Sequence, residues 1–150
     1  MSDYKSFLLK KDGEAVVKDS FAEWGIMVQS IPFLLVPEMK ELPSTDWPDE
    51  DGDDEYVPSV THFKAYSMDI SFVYIGNYET ANEKIRAFWN YVKQGTFQFY
   101  DQYTSVGRSG VRYVSFSPKA FRRRNNSGDT VEFSMTFKVN DPVENIILTL

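Results

Sequence analysis

From Val131 to Val139 every second residue is large and apolar (Val131, Phe133, Met135, Phe137, Val139), and the residues between them are Glu132, Ser134, Thr136 and Lys138. Side chains alternate between the two faces of an extended chain, so this pattern specifies a strand with one buried and one solvated face. A second stripe of the same period, Tyr66, Met68, Ile70, Phe72 and Tyr74, runs through 63–75. Two long half-buried strands need further strands beside them and other apolar surface to pack against. At Thr80–Lys93 the period changes to that of one amphipathic helix. Ala81, Ile85, Phe88, Trp89 and Val92 recur at helical spacing, Asn77 or Thr80 can cap the start, and Gly95 stands where a left-handed residue ends a helix.

The remaining elements are shorter. Tyr4–Lys10 and Glu14–Lys18, separated by Lys11-Asp12-Gly13, read as a hairpin, and Gly25–Ile31 reads as a strand ended by Pro32. Thr96–Asp101 and Gly110–Ser117 read as strands around a Gly107-Arg108-Ser109-Gly110 hairpin turn. Val111–Ser117 is the expected partner of Val131–Val139, with a tip at Pro118–Gly128. Asn145–Leu150 is expected as a last edge strand after the Asn140-Asp141-Pro142 turn. Of 150 residues, 16% are aromatic, which favours pleated surfaces. The expected fold class is α+β, mainly β: a split β-barrel or sandwich of about seven to eight antiparallel strands with one flanking helix. Residues 1–150 are expected to form a single domain, with no internal repeat or linker. The core is expected at Ile70, Phe72, Ile85, Phe88, Trp89, Phe133, Met135 and Phe137.

Charge is unevenly distributed. Asp46, Asp49, Glu50, Asp51, Asp53, Asp54 and Glu55 crowd seven carboxylates into ten residues, inside a long loop expected between Pro43 and Pro58. The stretch from Gln102 to Gly128 holds no acidic residue but carries Arg108, Arg112, Lys119, Arg122, Arg123 and Arg124. These are either two solvated loops of opposite sign or two surfaces that meet between subunits, as head-to-tail contacts in rings and filaments do.

Familiar chemistry finds little support. The absence of cysteine excludes disulfides and thiolate sites, and a single histidine, His62, excludes multi-histidine metal sites. With Gly52 as the sixth residue of an EF-hand loop, Asp49 and Asp51 suit the third and fifth positions, but Trp47 would be first and Pro58 twelfth, where carboxylates are needed. A cation or small ligand held by the acidic 46–55 loop of a small β-barrel remains the alternative function. Trp47 is expected as an anchor tucked against the barrel. His62 lacks a nucleophile motif nearby, and no enzyme or cofactor is expected. Arg122-Arg123-Arg124 with Tyr113, Phe116 and Phe121 makes a basic aromatic patch, opposed by a net charge of -6. No apolar run is long enough for a membrane helix, and no signal peptide opens the chain, so synthesis in the cytoplasm is expected.

The order of these elements resembles a known family. An early hairpin, a strand ending at proline, a polar loop with Trp47 and Gly52, a long strand, and a helix with Phe88-Trp89 come first. Tyr100-Asp101-Gln102-Tyr103, Gly107, Arg112-Tyr113 and a closing Asn140-Asp141-Pro142 follow. Over roughly residues 20–145 this looks like the tube-like domain of long-tailed bacteriophage and prophage tail proteins, above all the distal tail protein. The resemblance implies a non-catalytic structural protein that assembles, usually as a hexamer, into a ring around the channel through which the genome passes. It implies other tail proteins as partners and a place in the virion tail after assembly in the host cytoplasm. The acidic residues Asp49, Glu50, Asp51, Asp53, Asp54 and Glu55 would then line the lumen, where they repel DNA, or meet Arg122, Arg123 and Arg124 of a neighbour. Many distal tail proteins carry a second, carbohydrate-module-like domain; this sequence ends at Leu150, so a short relative or a tail-tube or tail-assembly protein fits equally.

Overall fold

The computed structural model describes residues 5–76, 78–122 and 129–150. In chain order the elements are β1 (Phe7–Lys11), β2 (Lys18–Asp19), α1 (Ser20–Trp24), β3 (Ile26–Ser30), β4 (Ser44–Thr45) and β5 (Asp54–Glu55). They continue with β6 (Tyr66–Gly76), α2 (Tyr78–Val92), β7 (Phe97–Asp101), β8 (Val106–Arg122) and β9 (Asp129–Asp141). Seven strands form one antiparallel sheet in the order β2-β1-β7-β8-β9-β6-β3, and β4 and β5 form a separate two-stranded ribbon.

The two alternating stripes pair directly. Met68 lies opposite Phe137, Ile70 opposite Met135, Phe72 opposite Phe133 and Tyr74 opposite Val131. Residues facing each other across an antiparallel pair share a face, so this register places every stripe residue on one side. The sheet curls around that side. Phe7 on β1 and Phe72 on β6 stand far apart in strand order, yet their rings are 5.3 Å apart. The curl stops short of closure, because β2 and β3 remain edges without each other as partners. The result is a split barrel. Chain continuity through α1 spans the gap between the two edges, with Asp19 capping its N-terminus and Gly25, at φ 68°, ending it.

Helix α2 covers the opening. Phe88, fully buried, meets Trp24 at 5.1 Å, Phe72 at 5.4 Å and Phe7 at 5.9 Å between ring centroids. Edge and tilted ring contacts of this kind add about 0.5–1.5 kcal/mol per pair beyond area burial. Gly95 takes the expected left-handed conformation, at φ 70°. Thr80 lies inside the helix, its hydroxyl hydrogen-bonded to that of Tyr74, and residue 77 is outside the described residues. Ile85 and Trp89 are only half-buried and line a groove beside the core.

Four expectations need correction. A second helix, α1, is present, and the strand expected at Glu14–Lys18 shrinks to the pair Lys18–Asp19. The segment Gly107–Gly110 lies within β8 and does not form the turn. Chain reversal occurs at residues 102–105, where the Asp101 carboxylate accepts from the N–H groups of Tyr103 and Thr104 and from the Thr104 hydroxyl. Gly110, at φ 64°, marks an extra residue in β8 between the pairs Phe97–Val111 and Phe99–Arg108, the signature of a bulge. Residues 145–150 form no strand. They lie against β8 because the Asn145 side chain accepts from the Gly107 N–H and from Arg108 Nη1, while Leu148 packs on Leu8 and Tyr100.

Candidate assembly surface

The long polar segment is an arm. Lys64 N–H donates to the Glu38 carbonyl, Lys40 N–H to the His62 carbonyl, and Tyr56 N–H to the Pro43 carbonyl; β4 and β5 then pair through Ser44–Glu55 and Thr45–Asp54. These bonds zip residues 38–64 into a narrow two-stranded arm. A few backbone bonds hold it, yet no residue from 38 to 64 is buried. Large apolar side chains stand exposed on the arm and at its base: Leu35, Val36, Met39, Trp47, Tyr56, Val57 and Val60. Gathered on one protrusion, they make the arm a candidate contact surface. Trp47 is 48% exposed, so it does not tuck against the barrel.

At the arm's tip the chain turns twice. Glu50 N–H donates to the Trp47 carbonyl, and Gly52 supplies a positive φ of 75°. Asp46, Asp49, Glu50, Asp51, Asp53, Asp54 and Glu55 are all exposed. They run along a ribbon rather than converging: among the described residues no three of His, Asp and Glu are grouped to hold a metal ion. His62 lies exposed on the same arm, with its backbone carbonyl in the ladder.

The basic side of the molecule is the outer part of β8. Strand β7 pairs with β8 only as far as Val111, while β9 accompanies it from Ser109 to Arg122. From Arg112 to Ala120 the other edge of β8 therefore has no strand beside it among the described residues. This projecting hairpin ends at Arg122, whose guanidinium lies 3.9 Å from Glu132. Arg123 and Arg124 are outside the described residues. The other described ion pair is Lys18–Glu23, so none joins the acidic tip to a basic residue.

A groove escaped the sequence analysis. Where β8 projects past α2, Asn82, Ile85, Arg86, Trp89, Tyr113 and Phe116 enclose about 380 Å³. Phe116 stacks on Phe133 with centroids 5.4 Å apart, yet remains 43% exposed. Lys93 and Arg86 lie over the Trp89 ring at 4.4 Å and 5.5 Å. The signal was present in the three- and four-residue spacing of Arg86, Trp89 and Lys93, which places all three on one helix face.

Sequence comparison is silent: no protein-family model and no curated protein sequence matches this chain. Comparison of folds is informative. The structure matches that of the SPP1 Dit protein (gp 19.1), described as a paradigm of the hub adsorption apparatus in phages infecting Gram-positive bacteria. The TM-score is 0.63 at 14% identity. The chain shares the fold of one half of the Dit protein. The match covers 92% of this chain and 51% of that one, so the chain spans about half the length of the Dit protein. The fold similarity agrees with the distal tail resemblance carried by the sequence motifs. Among the described residues, no helix is long and apolar enough to cross a membrane.

Proposed function

We propose that this chain is a non-catalytic structural subunit of a phage or prophage tail, and that it assembles with copies of itself into a ring around the DNA channel. One observation carries the proposal: a Dit-like body holds out an arm whose apolar side chains stay exposed among the described residues. In this reading the arm is covered by a neighbouring subunit. Asp49, Glu50, Asp51, Asp53, Asp54 and Glu55 meet the basic end of the neighbour's β8–β9 hairpin at Arg122, Arg123 and Arg124. A hexamer, contacts with other tail proteins, residence in the virion tail and assembly in the host cytoplasm belong to the same proposal.

The sheet also has a polar outer face. On the face opposite α2, β6 and β9 present Ser67, Asp69, Ser71, Ser134, Thr136 and Lys138. The Thr136 hydroxyl donates to Asp69. The same face also carries Arg112, which pairs with Lys138, and Lys119, whose ammonium donates to the Ser71 hydroxyl, so it is polar and mixed in charge. The test is electron microscopy of the purified chain at high concentration. Rings with a central channel are expected, and a field of single particles in every buffer overturns the proposal.

A further inference from the structure

We infer that Trp47 of one subunit inserts into the α2–β8 groove of the next copy, with the acidic tip laid along the neighbour's β8. The inference rests on the ring reading and names its contact. Three features of the molecule support it.

First, the groove is open, and among the described residues no arm residue lines it. Second, the two surfaces are complementary in apolar character and charge. The groove is an aromatic and aliphatic trough (Ile85, Trp89, Tyr113, Phe116) with Arg86 and Lys93 beside the Trp89 ring, and neither cation has an ion-pair partner among the described residues. Trp47 is an exposed indole held on a tight turn, with Asp46, Asp49 and Glu50 around it. An indole seated among aromatic rings leaves its flanking carboxylates beside Arg86 and Lys93, the arrangement typical of an interface anchor. Third, the apolar lining continues along β8. A second depression sharing Phe116 runs through Pro118, Lys119 and Phe121 to Glu132, beside Arg122. With Trp47 seated beside Phe116, Asp49–Glu55 follow the hairpin toward its arginines. The arm is paired at Met39–Phe63 near its base and at Ser44–Glu55 and Thr45–Asp54 near its tip, so it holds Trp47 and the carboxylates out from the body.

The chain has no cysteine, which makes site-directed cross-linking clean. Asp46→Cys and Asn82→Cys proteins are mixed, treated with a short bismaleimide, and the linked peptides are identified by mass spectrometry. In parallel, the self-association of Trp47→Ala is measured by light scattering, with thermal unfolding as the folding control. Trp47 is not among the side chains packed against the core, so the melting temperature should change little. The expected result is a 46–82 intermolecular link and self-association weakened at least roughly tenfold. An oligomer that survives Trp47→Ala and forms no such link overturns this docking mode and leaves the ring reading standing. If the unaltered chain never associates, both are overturned. A link from residue 46 to a different tail protein, in place of residue 82, rejects the second copy as the occupant.

Discussion

Phe88 shows how a single side chain joins the parts of the molecule. It touches rings from β1, α1 and β6 at once, and no small side chain can replace those three contacts. Phe88→Ala should lower unfolding free energy in urea by about 3–5 kcal/mol; a loss below about 1 kcal/mol would mean that α2 is not the lid. Gly107 is constrained differently. A Cβ there would stand 2.4 Å from the Ile146 carbonyl oxygen and 2.9 Å from the Tyr100 ring. Gly107→Ala should therefore loosen the 145–150 segment and lower the melting temperature, whereas Gly13→Ala, which meets nothing within 4 Å, should act only through its backbone strain. Tyr91 supplies a pH dependence. Burial pushes its phenol above the ordinary value of 10.0, against the hydrogen bond it accepts from Lys11 N–H, and Glu14 and Glu23 add to the rise. A raised folded-state value favours the neutral phenol, so its contribution to stability is complete below about pH 10 and is lost as pH climbs through the folded value. Melting curves above about pH 10 should fall less steeply for Tyr91→Phe than for the unaltered chain.

At the scale of elements, the arm and the body obey different rules. The body's strands are held by buried faces; the arm is held by a few backbone bonds and buries nothing. Replacing residues 41–57 with a short glycine–serine link should leave the melting temperature of the body within a few degrees and abolish self-association, a pairing that calorimetry and light scattering read together. The same contrast explains what could be read in advance. β6, β9 and α2 were legible because burial on one face writes a period into the sequence, and Met68, Phe72, Phe133 and Phe137 keep it without interruption. The hairpin partner of β9 was legible from its place across the 118–128 tip and its Val, Tyr and Phe content, since β8 is mostly exposed past Val111. The turn was misplaced because Gly107 and Gly110 serve close packing and a bulge, and glycines needed for those purposes look like turn glycines in sequence. The last segment, 145–150, was misread as a strand because its apolar residues pack on a sheet edge, while its polar anchoring comes from the side chain of Asn145. The arm's pairing left no periodic signal, since neither of its faces is buried in this chain. The acidic residues were visible, but the groove was not, because Trp89 and Phe116 come from elements joined only by the fold.

At the scale of the whole molecule, the net charge of -6 is concentrated on one protruding tip. Seven carboxylates repel one another unless something basic meets them, and screening is nearly complete beyond about 8–10 Å at physiological salt. An assembly joined by that tip should therefore be sensitive to ionic strength, and Arg122→Glu with Arg123→Glu and Arg124→Glu should weaken it more at low salt than at high. The measurement that tests the ring reading most directly is the mass in solution at low and high salt, by light scattering on a sizing column. A species near six times the 17.4 kDa chain that dissociates as salt rises is expected. A 17.4 kDa monomer at every salt and concentration would contradict it.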